Sequence, residues 1–157
     1  MGEINYDIEF VERTKKIIAE YKGEYKLTIL LNCMIGLVIL PNERSQNIAS
    51  ELWNRNIEEL PIYSDLRVNI FNPIQKKDKE TGGFIYYRKT VEIFLKKLRN
   101  GIAHQNIQAI NENGSFVGVI IRNKFGSIID FEVAFRRREL QKFANFIADQ
   151  YLQRANN

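Results

Sequence analysis

Apolar residues recur at helical spacing from the start of the chain. Between Ile8 and Tyr21 they fall at Phe10, Val11, Ile17, Ile18 and Tyr21 with charges between them, which predicts an amphipathic helix closed by Gly23. Tyr25 to Leu40 is apolar nearly all round, the pattern of a helix packed centrally among others, and Pro41 is expected to stop it. Ser45 to Asn54 predicts a shorter helix with Ile48, Leu52 and Trp53 on one side and Ser45 as its cap. Asn56 to Gly83 holds Pro61, Pro73, Gly82, Gly83 and the polar run Gln75 to Glu80, and reads as an irregular, partly mobile connection.

Helical spacing returns over Phe84 to His104, with Val91, Phe94, Leu95, Leu98 and Ile102 at steps of three and four. An Asn111-to-Gly114 turn, an apolar run from Phe116 to Ile121, a second turn at Asn123 to Gly126 and alternation through Ile129, Phe131, Val133 and Phe135 predict a small antiparallel meander. Arg136 to Gln153 is a final helix with Leu140, Phe143, Phe146, Ile147, Tyr151 and Leu152 on its apolar side. The expected fold is mainly α: a four-helix bundle with a small antiparallel β-meander inserted before the last helix, as one domain over residues 1–157.

Composition narrows the chemistry. With 157 residues, 45% of them hydrophobic, the chain is long enough for a proper core. A net charge of +4, from 23 basic and 19 acidic side chains, neither proves nor opposes a nucleic-acid partner. The lone cysteine, Cys33, cannot form an intramolecular disulfide, so cytoplasm is the simplest address. Met1 to Glu12 carries four acidic residues and no secretory pattern, so the mature chain is expected to begin here. Leu27 to Leu40, the strongest apolar stretch, has fourteen residues, short of the roughly 18 that span a bilayer, and no membrane contact is expected. One Cys and one His, more than seventy positions apart, make a zinc site unlikely on composition, and no cofactor motif is present: neither a glycine-rich phosphate loop nor a nucleophile elbow occurs.

Chemistry concentrates at the end of the third long helix. With the stripe of Val91, Leu95, Leu98 and Ile102 set at about 0°, Arg99 lies at about 80°, Lys96 at about 140°, Asn100 at about 180° and His104 at about 220°. These polar residues face away from their own core, and Tyr86 and Ile93 are expected on the same outer side, a mixed stripe suited to contact with a second subunit. Blander accounts exist for each residue. A histidine near a helix end suits the negative end of the dipole, Arg99 and Lys96 could be solvated charges, with Arg99 pairing Glu92, and Asn100 and Gly101 could mark fraying.

Taken together, Leu98-Arg99-Asn100-Gly101-Ile102-Ala103-His104 resembles the defining motif of the HEPN superfamily, an Arg followed after four to six residues by His, with a polar residue, frequently Asn, after the Arg. The region from Asn32 to Pro41 followed by Arg44 also resembles the second-helix ending of small members that carry a β-insertion. One position departs: many members in toxin pairs have Tyr two residues after the His, where this chain has Asn106, which puts regulation through that tyrosine in doubt. The resemblance implies RNA cleavage without metal, by attack of a ribose 2′-hydroxyl on the adjacent phosphate. It makes His104 general base or acid, Arg99 the clamp on the phosphate, Asn100 the group orienting His104 or the sugar, and Lys96 a backbone contact. One His per chain cannot be both base and acid, so a homodimer that brings two copies to one groove is expected.

Arg136, Arg137 and Arg138 precede the last helix; they are either solvated termini or an RNA-backbone contact. The leading expectation is an endoribonuclease of toxin or phage-defence type, with RNA as partner and an antitoxin or other regulatory protein as a second. The alternatives are a non-catalytic HEPN module binding RNA, a nucleotide or a protein, and a purely structural dimer.

Overall fold

The computed structural model describes residues 6–44 and 50–155. Helices α1 (Tyr6–Glu20) and α2 (Lys26–Arg44) follow one another and pack together. A Cβ at Gly36 would sit 3.0 Å from the Phe10 ring, so the glycine lets the two helices approach closely. Lys26 is buried and donates to the carbonyls of Ile18 and, at 3.1 Å, Tyr21, which satisfies two backbone acceptors at the end of α1. Pro41 does not stop α2: the helix continues to Arg44 despite the lost donor and the ring's crowding of the preceding turn. The expected Ser45 cap lies outside the described residues; after it comes one helical turn, α3 (Ser50–Trp53), with Leu52 and Trp53 buried.

The segment expected to be irregular is built. It holds a 3-10 turn (Ile57–Glu59) capped by Asn56, whose side chain accepts from the Glu58 amide at 2.9 Å, then α4 (Pro61–Ser64), β1 (Arg67–Phe71) and β2 (Ile74–Lys77). Next comes β3 (Phe84–Tyr86), a strand where a helix was expected, so Tyr86 is not part of the helical outer stripe. The site-bearing helix α5 (Val91–Ala103) starts at Thr90, whose hydroxyl accepts from the Ile93 amide at 3.2 Å. The meander follows as β4 (Ile107–Glu112), β5 (Ser115–Phe125) and β6 (Ile128–Arg136), and α6 (Arg137–Ala155) ends the described chain. Asn113 and Gly114, with φ of 51° and 79°, make the β4–β5 turn, the left-handed pair that a tight hairpin favours.

All strands of the larger sheet are antiparallel in the order β1-β6-β5-β4, and β2 pairs with β3 alone. This corrects the mainly α expectation: the protein is a mixed α/β chain in which long helices lie on a four-stranded sheet, rather than a helical bundle with a small insertion. The difference is physical. β1 is five residues long and gains its place from pairing with β6, more than fifty positions away, which no local pattern reports. The core joins helices and sheet through Phe94, which meets Phe71, Phe131 and Phe143 edge-on at centroid distances of 5.5, 5.0 and 5.6 Å. Among the described residues no helix is long and apolar enough to cross a membrane.

Candidate active site

Helix α5 presents two unlike arcs. Val91, Phe94, Leu95, Leu98 and Gly101 are buried, and with them Lys97; Glu92, Ala103 and His104 are exposed, and Ile93, Lys96, Arg99 and Asn100 are partly so. The structure therefore brings Arg99, Asn100 and His104 to the open side of one helix, as the wheel predicts, with Lys96 one turn earlier. Asn100 and His104 are four residues apart on that side, the spacing at which side chains on a helix are neighbours.

Gly101 and the end of the helix are held, not frayed. A Cβ at Gly101 would lie 2.9 Å from Ile121 Cγ2 and closer still to the carbonyl oxygen of Arg122, so only glycine lets α5 press against β5 here. His104 is the C-cap, and its amide donates to Asn100 O at 3.0 Å. Gln105 then turns left-handed at φ 58° and donates to Ile102 O at 3.0 Å, while the Asn106 amide reaches Gly101 O at 2.8 Å. That pair of bonds is a Schellman termination, with glutamine where glycine is usual. The carbonyl of Asn106 accepts from the Arg122 amide at 3.0 Å, which ties the helix terminus to the sheet. The same geometry puts the imidazole at the negative end of the helix dipole.

The buried arc carries a charge network that the sequence reading missed. Lys97, only 5% exposed, contacts Asp130 Oδ2 at 2.8 Å and donates to Ile74 O at 3.0 Å. Asp130, 1% exposed, also accepts from the Ile74 amide at 2.9 Å and from Asn123 Nδ2 at 2.7 Å. Asp130 meets Lys97 because it is the extra residue of a β-bulge: Asn123 pairs with Phe131 and Lys124 with Ile129, so Asp130 has no partner on β5 and turns inward. The residues gave no signal of this, since Asp130 takes a regular polar place in the alternation of Ile129, Phe131, Val133 and Phe135. Both lysines meet Tyr87: Lys96 Nζ lies 5.0 Å from its ring centroid and 3.2 Å from its hydroxyl, and Lys97 Nζ lies 5.7 Å from the same centroid.

The arginine triplet lies elsewhere. Arg136 ends β6 opposite Gly118, three rows, or about 10 Å along the strand, from the Ile121 row at which α5 terminates. It pairs with Glu112, whose carboxyl is held below its ordinary value first by that hydrogen bond and then by the charge of Arg136. Arg137 and Arg138 open α6 and line a groove with Gln141, Lys142 and Asn145. Arg137 and Lys22 add to the burial that lowers the Lys26 ammonium, so this corner is basic. Among the described residues no three Cys, His or carboxylate side chains gather as a metal site would need.

Layers of helix on antiparallel sheet, with an Arg-Asn-x-x-x-His segment on the open face of a helix pinned at its end, define the class of site. The family described as HEPN pEK499 p136 matches residues 1–157, and the chain belongs to it and so to the HEPN superfamily of nucleotide-binding and ribonuclease-type domains. No curated protein and no solved structure matches the chain.

Proposed function

We propose that the chain is a metal-independent endoribonuclease of toxin or phage-defence type whose active site is completed by a second copy. The observation that carries this reading is the gathering of Arg99, Asn100 and His104 on the open arc of α5, beside a helix end fixed by Gly101 and Asn106. In the reaction the imidazole of His104 in one copy takes the proton of a ribose 2′-hydroxyl as that oxygen attacks the adjacent phosphorus. The bond to the 5′-oxygen breaks, and His104 of the other copy gives that oxygen a proton. A cyclic phosphate and a 5′-hydroxyl result. Arg99 neutralises the charge that builds on the phosphorane, a task suited to a planar guanidinium, and Asn100 orients the imidazole or the sugar. Lys96 and the Arg136-to-Arg138 corner bind RNA backbone, with Arg137 and Arg138 contributing more than the Glu112-paired Arg136. An antitoxin or other regulatory protein would act by covering the α5 face.

Cleavage of a mixed-sequence RNA in EDTA by wild type and His104→Ala, with the product ends analysed, tests the chemistry. Histidine-dependent fragments ending in cyclic phosphate are expected. Wild-type/His104→Ala mixed dimers should lose more than half of the turnover per site; retention above that excludes a shared site. The second reading, a non-catalytic HEPN module that binds RNA, a nucleotide or a protein, is favoured by the C-cap position of His104, which suits a histidine whatever its chemistry. Intact RNA with a folded, dimeric protein selects it.

A further inference from the structure

The β2–β3 hairpin stands outside the four-stranded sheet and carries chemistry that no core role explains. Its Tyr86 is 54% exposed and Ile85 37%. Lys76, Lys77 and Lys79 are exposed as well, and among the described residues none of them has an ion-pair partner. Two acids share the loop with them: the exposed Glu80, and Asp78, which accepts from the Thr81 hydroxyl at 2.8 Å and from the Glu80 amide at 3.0 Å, closing the turn before Gly82. Those hydrogen bonds hold its carboxyl below the ordinary range, first the one from Thr81 and then that from Glu80. From Ile74 to Tyr86 the hairpin carries three lysines against these two acids, a slight positive excess, and one large exposed ring.

That ring is braced, and the base of its hairpin is tied to α5. Phe84 packs on Phe125 at 5.9 Å and meets Tyr86 edge-on at 6.5 Å, so Tyr86 is supported at its edge while much of its surface is open. The root of the hairpin is fixed by Ile74, bonded to both Lys97 and Asp130, and the next residue after β3, Tyr87, holds Lys96. From Lys96 to His104 is eight residues, about 12 Å along the helix.

We infer that this hairpin is a grip for single-stranded RNA, in which a base stacks on Tyr86, Lys77 on the same face and Lys79 in the turn contact phosphates, and Lys76 reaches the backbone from the opposite face. The inference rests on the reading of the α5 face as an RNA site and names the form of RNA it takes. A stacking ring beside unpaired lysines is the usual means of holding a single strand without reading its sequence. A protein partner fits less well, because it would have to neutralise the lysines and cover the tyrosine with nothing here to specify it.

The test uses the full chain with His104→Ala, so that RNA survives, and a fluorescein-labelled mixed-sequence single-stranded RNA followed by anisotropy over a range of salt. Adding Tyr86→Ala should weaken binding about tenfold with the salt slope unchanged, while Tyr86→Phe should keep the parent affinity. Replacing Lys76, Lys77 and Lys79 together by Gln should lower the slope of log affinity against log salt by about 2. Thermal melting of each variant, expected to match the parent, separates these effects from misfolding. If the parent binds RNA and all hairpin variants bind as well as it does, the grip is wrong while the α5 site stands, and the hairpin becomes a protein-facing surface. Equal hairpin dependence with a perfect duplex also overturns it. A parent that binds no RNA overturns both readings together.

Discussion

Lys96 and Lys97 are neighbours in sequence that share the Tyr87 ring and differ in burial. Lys97 points into the core, 5% exposed, with Asp130 and Ile74 O as partners; Lys96 lies along the open arc against the Tyr87 hydroxyl and ring. One step of about 100° separates a charge that fixes the helix from a charge available to a ligand. The lesson is that a basic cluster on a helix is two populations, and only position on the wheel sorts them.

The comparison can be broken at several points. The largest effect belongs to the buried arc: Lys97→Ala leaves the Asp130 carboxylate buried without its cation, and stability measured by urea unfolding should fall by about 3–5 kcal/mol. His104→Ala on the open arc should do the reverse, reducing cleavage at least about a hundredfold, or roughly 2.7 kcal/mol in the barrier, with stability changed by less than about 1 kcal/mol. A His104 variant that unfolds like Lys97→Ala would abolish the distinction. Gly101→Ala sits on the border, since its methyl meets the β5 backbone; a loss of about 1–3 kcal/mol is expected, with weaker cleavage as α5 is pushed off the sheet. The smallest effect is a gain: Gln105→Gly relieves the left-handed residue of the terminus and should stabilise by about 0.5–1 kcal/mol in thermal melting, with cleavage intact.

Much of the layout could be read from the residues, and the parts that could not have physical reasons. The four long helices and strands β5 and β6 follow from apolar spacing that persists for many residues, while β4 was implied only by the turn at Asn111 to Gly114. β1 and β2 are too short for spacing to register, and Pro73 between them reads locally as a break. Phe84, Ile85 and Tyr86 extend the helical spacing of α5 backward by coincidence, although runs of aromatic and β-branched residues favour strands, and Thr90 was the better marker of the helix start. The placement of Arg99, Asn100 and His104 on the less buried side of α5 was legible because the helical wheel gives it. Lys97 and Asp130 were not, because a buried ion pair depends on a bulge in a strand some thirty positions away.

Asn106 has one further consequence. Its amide closes the last turn of α5 and its carbonyl closes a bond to β5, so a single residue belongs to both the helix and the sheet edge. The terminal turn of an isolated helix opens and shuts freely, but this one can open only when β4 begins to peel from β5. The lifetime of the His104 geometry is then set by the sheet, and in hydrogen exchange the amides of Asn106 and Arg122 should be released in one event, at a rate far below that of a frayed helix end.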